Sequence, residues 1–298
     1  MNYDSDFCYI RSVDYPDGAI IPKKIARISP DDRGFYFADG VYEVIRTYQG
    51  KLFHFPDHLT RFKNSLQAVR IGLPDVDGIE KICSKLLRYN NLSNADAFFY
   101  IQVTRGVAAR NLLFPPEATI PTLYISVTPI TPPITEQKDG IKVITVPDIR
   151  WHRCDIKAIG LLPSVLARQT AAEANAQEAI FVRNGIVTEG THTNLFGVKQ
   201  KTVITHPLDS HILPGITRIV LMKLCTRLRL PVIESPLPEP ELYQLDELFV
   251  TSTTWEVVPV IEVNRKPIGS GKPGVVTRQL QAEFKNYVQE IFTERSSA

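Results

Sequence analysis

The chain has 298 residues, 44% of them hydrophobic, enough to bury the core of one large domain or two of ordinary size. Charged residues make up 22% and the formal net charge is +2, which gives no electrostatic footing for nucleic acid or an anionic membrane surface. The acidic opening Met1-Asn2-Tyr3-Asp4-Ser5-Asp6 lacks the regions of a secretion signal, no run reaches the length of a membrane span, and Cys8, Cys83, Cys154 and Cys225 show no CxxC spacing; the expectation is a cytoplasmic protein with reduced thiols.

In chain order, Phe7 to Arg11 and Ala19 to Ile21 read as strands around a turn at Pro16-Asp17-Gly18. A glycine-punctuated aromatic stretch, Asp32 to Gly40, precedes a β-branched strand from Val41 to Tyr48, which Gln49-Gly50 turns into Lys51-Leu52-Phe53. Leu59, Phe62, Leu66 and Val69 then follow a helical period, with His58 and Arg61 on the same helix. A second helix starts near Asp75, its candidate cap, and buries Ile79, Ile82, Leu86 and Leu87. Strands at Ala97 to Thr104 and Thr122 to Val127 flank a long loop, Arg105 to Pro116, of a length that is usually functional or disordered. The proline-rich stretch from Pro129 to Glu136 suits a stiff linker. The expected organisation is α+β, with a smaller N-terminal domain over 1–129, a linker over 130–136 and a larger strand-rich domain over 137–298.

Beyond the linker, Ile141 to Val146 is a strand, a helix covers Ser164 to Ala174, and Asn184-Gly185 joins two strands as a hairpin. Strands continue at Asn194 to Val198 and Thr202 to Thr205. A helix opens at Gly215, a short one spans Glu239 to Leu245, two strands lie at Glu247 to Val250 and Val257 to Val263, and an amphipathic helix runs from Thr277 to Phe292.

Lys157 is the most unusual residue, set among Ile156, Ala158, Ile159, Gly160, Leu161 and Leu162. Burial disfavours the ammonium form and frees an amine able to attack a carbonyl as a Schiff-base nucleophile. In extended form Trp151, Arg153, Asp155 and Lys157 share one side of a strand; the alternative is a surface lysine at the end of a polar strand. Gly215-Ile216-Thr217 at a helix start, and Thr251-Ser252-Thr253-Thr254 after a strand, offer phosphate donors, although turns and caps use the same residues. Glu189, in Thr188 to Asn194, could face a pyridinium nitrogen or simply lie on the surface. Gly269-Ser270-Gly271-Lys272-Pro273-Gly274 matches GxGxxG, but no βαβ unit fits after it and a turn explains it better. The six histidines form no HxxxH or HExxH pattern, so no metal site is expected.

Taken together, the chain resembles the fold-type IV pyridoxal-phosphate (class IV) aminotransferases, and within them the D-amino acid aminotransferase branch. The resemblance runs from about Asp32 to Phe292 and rests on Arg33-Gly34 through Asp39-Gly40-Val41-Tyr42-Glu43-Val44, His58-Leu59-Thr60-Arg61, and Ile149-Arg150-Trp151 through Cys154-Asp155-Ile156-Lys157. It continues in Thr188-Glu189-Gly190 to Asn194, Gly215-Ile216-Thr217-Arg218 and Asp246 to Thr254. The resemblance implies that Lys157 carries pyridoxal 5′-phosphate and shuttles the proton between Cα and C4′. It implies that Glu189 pairs with the pyridine nitrogen, that Arg61, Ile216, Thr217 and Thr253 bind the phosphate, and that Leu213 packs on the ring. Ser252 and Thr254 would line the site, with Tyr42 and Thr254 on the substrate side and Arg110 holding a carboxylate. It further implies a homodimer and ping-pong exchange between a D-amino acid such as D-alanine and 2-oxoglutarate or pyruvate.

Two positions depart from the family pattern: Leu112 stands where the resemblance implies a histidine and His192 where it implies a serine. Both point to a weaker grip on the α-carboxylate and to tolerance of bulkier donors, (R)-primary amines included. The alternatives are a branched-chain L-amino acid aminotransferase, an aminodeoxychorismate lyase, or a cofactor-binding protein without activity. Arg110 and the Val41–Val44 run favour the D-amino acid reading, and the joint presence of Lys157 and Glu189 opposes the inactive one.

Overall fold

The computed structural model describes residues 6–73 and 75–294; the acidic opening, but for Asp6, lies outside them. The chain divides into two compact units, one running through Thr131 and also taking Ile156–Gly160, the other made of Pro132–Asp155 and everything from Leu161 on.

The first unit contains β1 (Phe7–Ser12), β2 (Tyr15–Pro22), α1 (Arg33–Phe37), β3 (Gly40–Tyr48), β4 (Lys51–Leu52), α2 (Phe55–Ala68), α3 (Ile79–Tyr89), β5 (Ala97–Thr104) and β6 (Thr122–Pro129). Its strands form one antiparallel sheet in the order β2-β1-β6-β5-β3-β4. Strand alternation sends Val41, Ile45, Phe99, Ile101, Ile125 and Val127 to one face, where they meet Phe62 and Leu66 of α2 and Cys83 and Leu86 of α3. Each large side chain buried there contributes roughly 1.5–3 kcal/mol.

The second unit contains α4 (Ile134–Asp139), β7 (Ile141–Pro147), α5 (Leu162–Glu173), β8 (Glu178–Arg183), β9 (Ile186–Gly190), β10 (Asn194–Lys199), β11 (Thr202–Thr205), α6 (Ile216–Arg227), β12 (Val232–Glu234), β13 (Leu237–Pro238), β14 (Glu247–Ser252), β15 (Glu256–Val263), β16 (Lys266–Pro267) and α7 (Val275–Glu294). Its sheet runs β12-β11-β10-β14-β15-β7-β8-β9-β13, with β16 against β15. β9 also pairs with β10 through Glu189 and Asn194, so the sheet curls back on itself and sets those two side chains next to each other. Asn184 and Gly185 both take positive φ (52° and 77°), as the two-residue β8–β9 hairpin requires.

Several sequence expectations are corrected. The first hairpin turns at Val13–Asp14, and Pro16-Asp17-Gly18 lies inside β2. β2 is an edge strand, where proline costs no ladder bond, and a side chain at Gly18 would strike the Tyr9 hydroxyl that crosses it. Asp75 caps nothing: it takes a left-handed conformation before a short 3₁₀ turn (Val76–Gly78), and α3 starts only at Ile79. The extended reading of Trp151 to Lys157 is wrong as well. The segment is irregular, and Arg153 and Asp155 pair with each other at 2.9 Å. The stretch read as glycine-punctuated also holds the short helix α1, which Asp32 starts by accepting from Gly34 N at 2.7 Å.

Candidate active site

In the first unit, α2 presents His58, Arg61 and Ser65 on one face, three and four residues apart, against β3. Glu43 of β3 is their hub. Its Oε2 accepts Arg61 Nε at 3.0 Å, while its Oε1 accepts Arg61 Nη2 at 2.5 Å and faces His58 Nδ1 at 3.0 Å. All three side chains are buried. Burial pushes the Glu43 carboxyl up, but the Arg61 charge and the His58 hydrogen bond outweigh it and hold Glu43 below the ordinary carboxylate range. For His58 burial is the largest influence and lowers its pKa, so the ring is neutral at neutral pH.

Lys157 is stitched to the same two elements. Tyr42 N donates to its carbonyl at 2.9 Å, and its own N–H donates to Ser65 Oγ at 3.3 Å. Val41 and Ala158 form a bridge beside it, and Ile156 enters the core. Its Nζ lies 4.3 Å from the centroid of the Tyr42 ring, so this amine is half-buried on an aromatic face rather than enclosed by aliphatic neighbours. Arg110 is exposed in the long loop, its guanidinium 5.4 Å from the Phe37 ring, and no hydrogen bond or ion pair joins it to Tyr42 or Lys157 among the described residues. Leu112 is 83% exposed.

In the second unit, Glu189 lies one residue before the end of β9 and its carboxylate is fully directed. Oε2 accepts Asn194 Nδ2 and Leu213 N, each at 3.0 Å, and Oε1 accepts Arg150 Nη1 at 2.6 Å. Arg150 is in turn gripped by Asp148 at 2.9 Å and lies over the Phe181 ring. Burial raises the Asp148 carboxyl, but hydrogen bonds from Arg150 and Arg183 prevail and keep it low. Leu213 also accepts Asn194 Nδ2 through its carbonyl, which ties the approach to α6 to the Glu189 cluster.

Gly215 is the N-cap of α6, in extended conformation and without a side-chain cap, so the first-turn N–H groups around Ile216 and Thr217 have no intrahelical acceptor. A Cβ on Gly215 would stand 2.0 Å from Asn194 Oδ1. Thr251 pairs with Asn194 across β10 and β14, and its buried Oγ1 has no hydrogen-bond partner. Ser252 ends β14 and Thr253 and Thr254 follow in the β14–β15 turn, across which Ser252 Oγ accepts Trp255 N at 3.2 Å. His192 Nδ1 lies 2.9 Å from Glu178 Oε2; burial raises the Glu178 carboxyl, but the His192 charge and bond outweigh it and bring Glu178 down to about 2.

An uncapped helix start, a glycine with no room for Cβ, a stranded hydroxyl and a carboxylate fixed by three donors fit a phosphorylated, nitrogen-ring cofactor. Among the described residues no group of His, Cys, Asp and Glu could hold a metal ion. Glu43, Arg150 and Asn194 stood in the motifs without assigned roles; a charged residue at a core-phase strand position was the available signal for Glu43.

Comparison with known proteins agrees with this chemistry. The family model for class IV amino-transferases matches residues 40–263. The chain is 40% identical over 274 residues to a D-alanine aminotransferase of Staphylococcus haemolyticus, covering 92% of this chain and 96% of that one. It is 40% identical over 273 residues to a D-alanine aminotransferase of Bacillus licheniformis, covering 91% and 95%. The solved structure of the Escherichia coli branched-chain amino acid aminotransferase superposes with a TM-score of 0.86 at 26% identity, covering 95% of this chain and 94% of that one. The chain therefore belongs to the class IV aminotransferases, with their fold-type IV architecture.

Proposed function

We propose that the chain moves an amino group between a D-amino acid, D-alanine or a close relative, and an α-keto acid such as 2-oxoglutarate or pyruvate. It is a pyridoxal-phosphate-dependent aminotransferase. The observation that carries the reading is the 40% identity to D-alanine aminotransferases over 92% of the chain. The branched-chain alternative has likeness of fold on its side, at 26% identity.

The cofactor, when bound, supplies an electron sink for the bond broken at the substrate Cα. Lys157 Nζ would hold the cofactor and, once the amino donor has displaced it, its free amine would carry the substrate Cα proton. Glu189, kept anionic and aimed by Arg150, Asn194 and Leu213 N, holds a proton on the ring nitrogen. Leu213 packs on the ring. Arg61, the backbone of Ile216 and Thr217, and Thr253 hold the phosphate, with Ser252 beside them. Tyr42 and Thr254 face the substrate, and Arg110 takes its carboxylate in two parallel hydrogen bonds.

The protein works as a homodimer in the cytoplasm. Leu162, Val165 and Leu166, exposed along one face of α5, support a partner surface, and four free buried thiols support a reducing compartment. No helix among the described residues is long and apolar enough to cross a membrane.

The test is an amino-donor panel with pyruvate and 2-oxoglutarate as acceptors, scored by enantiomer. D-Alanine is expected to turn over fast and L-leucine not at all; the reverse order would move the enzyme to the branched-chain group.

A further inference from the structure

We propose that His58 is a positioning residue. As a neutral Nδ1–H donor it fixes the plane of the Glu43 carboxylate, and through that plane it sets the direction in which Arg61 meets a phosphate. The inference rests on the reading of Arg61 as a phosphate ligand and goes on to say what aims it.

Glu43 sits on β3 between the buried Val41 and Ile45, where a carboxylate is costly unless every lone pair is answered. Its terminal torsion has a broad, roughly two-fold profile, so the donors around it decide its plane. Arg61 alone does not, because a planar fork turns together with the carboxylate it grips. The fixed references are Val44 N at 3.0 Å and His58 Nδ1 at 3.0 Å, both on Oε1. His58 is the stronger constraint, since its ring is held one helical turn before Arg61 on the same face of α2. Glu43 takes the Nε and Nη2 edge of Arg61, so the carboxylate plane sets the plane of the whole guanidinium and the direction in which its other N–H groups point. That direction therefore follows from His58.

The neutral form suits this role. With its proton on Nδ1 the ring donates to Glu43 and adds no charge, and Arg61 and Lys157 nearby both oppose a second proton. Lys157 hangs from the neighbouring strand residue, Tyr42, and from Ser65 on the same helix face, so the aim of Arg61 and the seat of Lys157 share one frame.

The experiment titrates full-length enzyme stripped of cofactor with pyridoxal phosphate and, separately, with pyridoxal, which lacks the phosphate. His58→Asn keeps an N–H donor near the Nδ1 position, whereas His58→Gln carries its amide out to the Nε2 position, beyond Glu43. A melting scan of each variant accompanies the titrations. The expected result is that His58→Gln loses roughly tenfold in affinity for pyridoxal phosphate, a change on the scale of one misdirected charge-assisted hydrogen bond, and less than about twofold for pyridoxal. His58→Asn stays within about threefold of wild type for both ligands. Equal losses for the two ligands, or a His58→Asn as impaired as His58→Gln, would make His58 merely structural and overturn the proposal. A wild-type chain that binds pyridoxal phosphate no more tightly than pyridoxal would instead sink the assignment of Arg61, and this inference with it.

Discussion

Arg150 donates from Nη1 to Glu189 Oε1 at 2.6 Å while Asp148 holds its Nε at 2.9 Å, so the carboxylate assigned to the cofactor nitrogen is buttressed by a second, fully buried acid. Burial opposes the charge on Arg150, but Asp148 and Glu189 more than compensate and raise its pKa. Arg150→Leu would leave Glu189 with its two neutral donors and Asp148 with Arg183, at a cost of roughly 3–5 kcal/mol in stability. The loss of one charge-assisted bond to Glu189 should lower kcat/KM by roughly 10- to 100-fold. Arg150→Lys, which keeps the charge but not the fork, should recover more stability than activity. Melting scans beside steady-state kinetics check both.

Gly215 offers a sharper geometric test. Its φ of −64° is open to any residue, so Gly215→Ala carries no backbone strain. The added Cβ would stand 2.0 Å from Asn194 Oδ1, and Asn194 holds both Glu189 and Leu213. The variant should fold, bind pyridoxal phosphate at least about fivefold more weakly than wild type, and lose activity in step. Unchanged affinity in a cofactor titration would show that this cradle is not where the phosphate sits.

Acid should weaken the protein in two stages. The His58 pKa is lowered from its ordinary 6.5, so the unfolded chain takes that proton first and stability falls as pH drops below 6.5. Glu178 falls from 4.5 to about 2 in the fold, so its contribution is complete above 4.5 and is lost as pH falls towards 2. Melting midpoints should therefore decline between about pH 7 and pH 5 in wild type but stay nearly flat in His58→Asn, which cannot titrate there. A matching decline in the variant would remove His58 from the account.

Leu112 and Leu113 are 83% and 74% exposed, two residues and three beyond Arg110 on the long loop. A leucine there gives a carboxylate no partner, so (R)-1-phenylethylamine, which has none, should act as a slow donor. Leu112→His should raise kcat/KM for D-alanine about three- to tenfold and leave the amine no better served. Fast D-alanine turnover with no detectable amine turnover would dismiss the relaxed pocket.

Legibility varied with the range of the physics. The β8–β9 hairpin is readable because Asn184-Gly185 readily accepts the two positive φ values the turn needs. The helices α2 and α3 are readable because Phe62 and Leu66, and Ile79 and Leu86, repeat at the helical period. The helix α1 is only five residues long and leaves Phe35 78% exposed, so it has no apolar stripe to read. Lys157 and Glu189 announce themselves through ordered motifs. The Glu43–His58–Arg61 cluster is only half legible: the core phase of Glu43 between Val41 and Ile45 marks it, but its partners lie 15 and 18 residues away and only the fold closes them on it. The buttress of Arg150 on Glu189 spans 39 residues and depends on how β9 returns to β10.

Lys157 is the lysine proposed to carry the cofactor. Borohydride reduction of the holoenzyme, followed by peptide mapping, tests that assignment most directly. A phosphopyridoxyl label on the peptide holding Lys157, absent from Lys157→Ala, is the expected result. A label on any other lysine, or none on a protein that retains the cofactor, would contradict it.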